Sequence, residues 1–155
     1  MQQPELSQIQ GFLVRDYKEM PFSKYFLLQV VDASKAKNFV KETAQKITTI
    51  NSEINNDCLN IGFTSFGLEA LGLSQKNIRT FSREFREGMV TPHRQRLLGD
   101  LNGNDPKNWN WGNPENEAIH IILMIFNNSE ENLNIRAQQL RGQLPQNGLK
   151  EILVL

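Results

Sequence analysis

Two rhythms of apolar residues alternate along the chain, one every second position and one every third or fourth. From Lys24 to Asp32, KYFLLQVVD is a dense β-favouring run with Phe26, Leu28 and Val30 opposed by Tyr25, Leu27 and Gln29. The period then lengthens: in DASKAKNFVKETAQKI, residues Ala36, Phe39, Val40, Thr43 and Ile47 share one helical stripe, with Asp32 or Ser34 placed to cap its first amides. Alternation returns at Cys58 to Thr64, where Leu59, Ile61 and Phe63 face one way and Cys58, Asn60 and Gly62 the other. A second strand and helix follow a long irregular stretch. AIHIILMIF, Ala118 to Phe126, sets Ile119, Ile121, Leu123 and Ile125 against His120, Ile122, Met124 and Phe126. SEENLNIRAQQLRGQL then opens on Ser129 as N-cap, has Glu130 and Glu131 in its first turn, and spaces Leu133, Ala137, Leu140 and Leu144 helically. Pro145 and Asn147-Gly148 break the chain, and LKEILVL closes it as a fourth strand.

The order β, α, β, insertion, β, α, β predicts an α+β, ferredoxin-like fold of the split βαβ, dimeric α/β barrel type. It comprises a four-stranded antiparallel sheet with both helices on one face and an insertion of about 65–117 between strands 2 and 3. All 155 residues fit one such domain, long enough to bury about two thirds of its unfolded surface. Strands 1 and 3 are apolar on both sides, so the face left bare by the helices calls for a cover: the insertion, a second copy of the chain, or another domain. Tyr25, Leu27, His120, Ile122 and Met124 are the expected contact residues of a homo-oligomer or a partner chain. Within the insertion, Trp109 and Trp111 are expected to pin the NGNDPKNWNWGNPEN loop to the body, and Gly67 and Gly72 to bracket one short helix.

Charge narrows the partners. Seventeen basic and seventeen acidic residues cancel, which gives no electrostatic case for nucleic acid or an anionic membrane. The opening MQQPELSQIQ lacks the basic and apolar regions of a signal peptide, and no run has the about 18 apolar residues of a membrane helix. A soluble, cytoplasmic protein is expected. One cysteine excludes an internal disulfide, and with two histidines it is too few for a thiolate or imidazole zinc site.

Catalytic chemistry is not legible in these residues. His93 stands in a basic stretch with Arg79, Arg83, Arg86, Arg94 and Arg96, a pattern that suits an anion or haem propionates but reads better as a solvated face pairing with Glu84 and Glu87. His120, inside an apolar strand, reads as a buried or interface histidine with protein partners rather than an iron ligand. Cys58 has no neighbour in sequence to lower its pKa and reads as a small buried hydrophobe. Asp57, Asp100 and Asp105 form no acid and base couple, and neither a P-loop nor a dinucleotide glycine pattern occurs. No catalytic, cofactor-binding or metal residue is assigned.

Six stretches taken in order resemble the N-terminal half of the Dyp-type (dye-decolourising) haem peroxidases. They are IQGFLVRDYKEMPFSKYFLLQVVDA, ITT at Ile47 to Thr49, LNIGFTSFGLEALGL, FSREFREGM at Phe81 to Met89, LLGD at Leu97 to Asp100, and IHIILMIF. The resemblance implies a ferredoxin-like half that packs on a second such half, and haem as the cofactor once that C-terminal half is supplied. It also implies that the chemistry lies elsewhere. The family's distal aspartate sits in a G-x-x-D-G motif absent from this sequence, and neither His93 nor His120 aligns with its iron ligand. The expectation is a peroxidase half inactive alone, or else a stand-alone ferredoxin-like binding or dimerisation module. Phe81 and Phe85 are expected to pack inward, with Arg83 and Arg86 outward. Ending on Leu153-Val154-Leu155 within a strand points towards a cut end, whereas Met1 without a tag fits a natural short protein.

Overall fold

The computed structural model describes residues 5–53 and 55–155. Four strands, β1 (Phe22–Val30), β2 (Asp57–Phe63), β3 (Ile121–Asn127) and β4 (Leu149–Val154), form one sheet in the order β2-β3-β1-β4. All neighbours are antiparallel. Helix α1 (Ala33–Ala44) links β1 to β2 and α6 (Glu130–Gln143) links β3 to β4, which is the predicted split βαβ arrangement.

Both crossover helices bury their apolar stripes on one sheet face. Phe26, Leu28, Leu59, Ile61, Ile121, Leu123 and Ile125 meet Ala36 and Phe39 of α1 and Leu133 and Ala137 of α6 in a single core. The caps follow the sequence: Asp32 accepts from the amides of Ser34 and Lys35, and Ser129 from that of Asn132. Gly148 turns the chain into β4 at φ +67°, where a side chain would also strike the Asp32 carbonyl. On the solvent side, ion pairs join Arg136 to Asp57 and, at 2.8 Å, Arg141 to Glu151, tying α6 to both sheet edges.

The insertion carries four short helices: α2 (Ser65–Ala70), α3 (Gln75–Ile78), α4 (Arg83–Glu87) and α5 (Pro92–Leu98). Each starts on a hydroxyl cap, Thr64, Ser74, Ser82 or Thr91, that accepts from the amide three residues on. Helix α2 packs against β1, β2, α3 and α4. Gly67 therefore lies inside α2 rather than at its end. A Cβ there would come within 1.9 Å of the His120 carbonyl oxygen, so the residue is small to let the helix touch the sheet. Gly72, at φ +86°, does end that helical segment as expected.

Three expectations for the insertion are corrected. Phe81 precedes α4 and is exposed; its ring meets that of half-buried Phe85 at 5.0 Å, across the Ser82 cap. Arg86, expected outside, is half-buried with its Nε shut away from solvent. Trp109, half-buried, donates from Nε1 to the Asn104 carbonyl within its own loop, and Trp111, 45% exposed, only flanks a cleft shared with Ile152 and Leu153 of β4, so neither indole is buried in the core. Strand β3 also begins later than Ala118, at Ile121. Among the described residues no helix is long and apolar enough to cross a membrane.

Candidate functional site

The second sheet face is where a function has to be sought, because the first is filled by the protein's own helices. Its β2 side is closed by the segment that precedes β1, a cover the sequence reading overlooked. Gln10 turns its carboxamide to the free edge of β2, donating to the Ile61 carbonyl at 2.7 Å and accepting from the Ile61 amide at 2.9 Å, as a neighbouring strand would. Thr48 does the same one step along, donating its amide to the Leu59 carbonyl and accepting the Leu59 amide on its hydroxyl. An edge that would otherwise invite another strand is occupied.

Behind that edge sits a buried polar network. Asn60, fully enclosed, accepts from the Tyr17 hydroxyl at 2.9 Å and donates to Gln10 and to the Thr48 carbonyl. The Tyr17 ring meets Phe126 edge to face at 4.9 Å, and Phe126 meets Tyr25 at 5.9 Å in the same manner. Arg15 locks the covering segment to the carbonyls of Thr49 and Ser52. Cys58 lies beneath, buried, its thiol pKa pushed up by that burial, and Tyr17 is shifted upward for the same first reason. The expected reading of Cys58 as a small buried hydrophobe fits; a thiolate nucleophile does not.

The five residues proposed for a partner contact separate here. Leu27 is only 1% exposed within the single chain, so it is closed to any partner and leaves the set. Tyr25, His120, Ile122 and Met124 are half-buried. His120 is held at three points: its amide donates to the Leu28 carbonyl, its carbonyl accepts from the Thr64 amide, and its Nδ1 accepts from the Val30 amide at 3.0 Å. That last bond places the ring proton on Nε2. Burial lowers its pKa, so the ring is neutral at pH 7.

A haem does not fit these residues. His120 accepts on Nδ1, so its Nε2 carries the proton and offers no lone pair to iron, and His93 stands exposed in the first turn of α5. Among the described residues no three His, Cys, Asp or Glu side chains gather to hold a metal. A cleft of about 300 Å³ between the 110–117 loop and β4, lined by Trp111, Ile119, Ile152 and Leu153, contains no histidine and is at the small end for a ligand pocket. The basic stretch is a solvated face only in part: exposed Arg83 pairs with Glu87 at 2.7 Å, whereas Arg94, paired with Glu84 at 2.6 Å, and Arg86 are half-buried. Asp57, Asp100 and Asp105 remain apart from one another in function, Asp57 on Arg136 and Asp105 capping a 3-10 turn at Pro106.

Known structures share this architecture. The fold matches a DyP-type peroxidase from Anabaena sp. with a TM-score of 0.81 and 19% identity, over 96% of this chain and 34% of that one. A decolorizing peroxidase from Auricularia auricula-judae matches at 0.75 and 14%, over 98% and 33%. A dye-decolorizing peroxidase in complex with 2,6-dimethoxyphenol matches at 0.71 and 19%, over 97% and 33%. The chain thus spans about a third of the length of these relatives. No curated protein matches its sequence. The model of the DyP dimeric alpha+beta barrel domain covers residues 9–155, from the segment that seals β2 to the last strand, and the chain belongs to that family.

Proposed function

We propose that this chain is the N-terminal scaffold half of a haem-dependent peroxidase and has no peroxidase activity alone. It supplies a folded ferredoxin-like unit, and the iron ligand, the distal acid and the haem cavity belong to the polypeptide that completes the enzyme. The observation that carries this reading is one of extent: the DyP family domain matches residues 9–155, yet the chain corresponds to about a third of each peroxidase it resembles. The state of the two histidines supports it, since neither is free in a cavity to ligate iron.

A haem titration of the purified chain, followed at the Soret band together with peroxide-dependent dye oxidation, tests the reading. The expected result is no saturable one-to-one complex and no turnover. Saturable haem binding with turnover would show that the 155 residues hold a working site, and the scaffold reading would fall.

A further inference from the structure

The geometry points to Asn102-Gly103 as a site of spontaneous covalent modification, where the asparagine closes on the following amide and becomes aspartate and isoaspartate. The chain's other Asn-Gly pair, Asn147-Gly148, is held unreactive by its contacts. This inference is independent of the scaffold reading above.

The chemistry sets the requirements. The backbone nitrogen after the asparagine must reach the carboxamide carbon, and glycine favours this because it puts no side chain in the way and leaves the backbone free to turn. That nitrogen bonds to Cγ, its proton leaves with the side-chain nitrogen as ammonia, and a five-membered succinimide forms. Water then opens the ring at either carbonyl. Breaking the new Cγ–N bond gives aspartate, and breaking the original peptide bond gives isoaspartate, with the main chain rerouted through Cβ and Cγ. A hydrogen bond on the attacking amide or on the carboxamide opposes the first step, because it must be broken before the two groups can meet.

Asn102-Gly103 meets these requirements. Both residues are exposed, and among the described residues neither the Gly103 amide nor the Asn102 carboxamide makes a hydrogen bond. A Cβ built on Gly103 would meet nothing within 4 Å, so the backbone there turns in open space. Asn102 is also the only non-glycine among the described residues in the left-handed region, at φ +57°. Only the carbonyls of the pair are held. That of Asn102 accepts from the Asp105 amide and from Asn108 Nδ2, both at 3.2 Å, and that of Gly103 accepts from the same Nδ2 at 3.3 Å. In isoaspartate the Asn102 carbonyl becomes a free carboxylate, so this turn would have to re-form with a new negative charge between Asp100 and Asp105.

Asn147-Gly148 is the opposite case. Asn147 Nδ2 donates to the Gln143 carbonyl at 2.8 Å, and the Gly148 amide donates to the Pro145 carbonyl at 3.1 Å, so both reacting groups are engaged. Gly148 is buried, and its carbonyl accepts from the amides of Val31 and Asp32. Turning its amide towards Asn147 would pull the entry of β4 away from the end of β1.

The test ages the purified 155-residue chain in mildly alkaline buffer at body temperature and follows its tryptic peptides by mass spectrometry. Cleavage after Arg96 and Lys107 isolates Asn102, which fragmentation separates from Asn104, and cleavage after Arg141 and Lys150 isolates Asn147. Conversion at Asn102 is expected to be about tenfold or more faster than at Asn147, where two hydrogen bonds must open together first. Isoaspartate, detected by enzymatic methylation of its carboxylate, should appear in the Asn102 peptide. In the guanidinium-unfolded chain the two sites should convert at similar rates. Equal rates in the folded protein, or conversion at Asn102 only after unfolding, overturn the proposal. A gap that persists unchanged in the unfolded chain also overturns it, because the selectivity would then lie in local sequence and not in the fold. Gly103→Ala adds one methyl group in open space and should slow conversion at Asn102 severalfold without lowering the melting temperature. An unaltered rate in that variant would rule out attack by the residue 103 amide, and the proposed route would fall.

Discussion

The two faces of the sheet solve burial differently. Under α1 and α6 the core is built of apolar side chains, aliphatic apart from Phe26 and Phe39, and every strand contributes to it. On the other side the same strands carry a tyrosine-to-asparagine network, a carboxamide standing in for a strand, and a row of half-buried side chains at Tyr25, Ile122, Met124 and Phe126. The first face is complete in itself and holds the fold. The second is closed at one edge by the chain's own leading segment and left partly open towards β1.

The contrast predicts unequal costs. Phe26→Ala removes a fully buried ring from the helix side and should cost about 3–5 kcal/mol, much of the total stability of a domain this size. Urea denaturation reads it directly; a loss under about 1 kcal/mol would mean that the helix-side core is not the stabilising one. Tyr17→Phe keeps the ring on Phe126 and deletes only the hydroxyl bonded to Asn60, so about 0.5–1.5 kcal/mol is expected. Were Tyr17→Phe to cost as much as Phe26→Ala, the polar network would be as central as the aliphatic core and the division between the faces would fail.

The helix side was legible because period and burial agree there. Phe26, Leu28, Leu123 and Ile125 alternate without interruption, Leu133 and Ala137 are four apart, and Asp32 and Ser129 stand where a cap is needed. The second face was legible only as a problem. Its solution depends on Gln10, Tyr17 and Thr48, polar residues outside any periodic segment, whose bonds to Ile61, Asn60 and Leu59 span 11 to 51 positions in sequence. Amphipathic pattern cannot report a contact made by one carboxamide across such a distance. The helices of the insertion, four to seven residues long, are too short to show a period. A different signal was available in Thr64, Ser74, Ser82 and Thr91, each of which precedes a helix it caps, whereas the glycines at 67 and 72 and the Phe81–Phe85 spacing point only to α2 and α4. Leu27 looked available because alternation assigns a residue to a face but does not say what else lies there.

His120 sharpens the comparison with the smallest effect. It stands where the second face, the end of β1 and the start of α2 converge, and its neutral Nδ1 is the acceptor for the Val30 amide. Protonation would set two N–H groups against each other. Burial depresses its pKa below the ordinary value of 6.5, so folding favours the neutral ring. The associated stability is fully present above pH 6.5 and is lost as pH falls through the depressed folded value. His120→Gln retains an acceptor for Val30 and removes the titration. Its melting temperature should therefore fall less than that of the parent chain between about pH 7 and pH 5, above the range where most carboxylates titrate. Parallel profiles for the two proteins would show that protonating His120 carries no folding penalty, and that the Val30 contact does not hold the ring neutral.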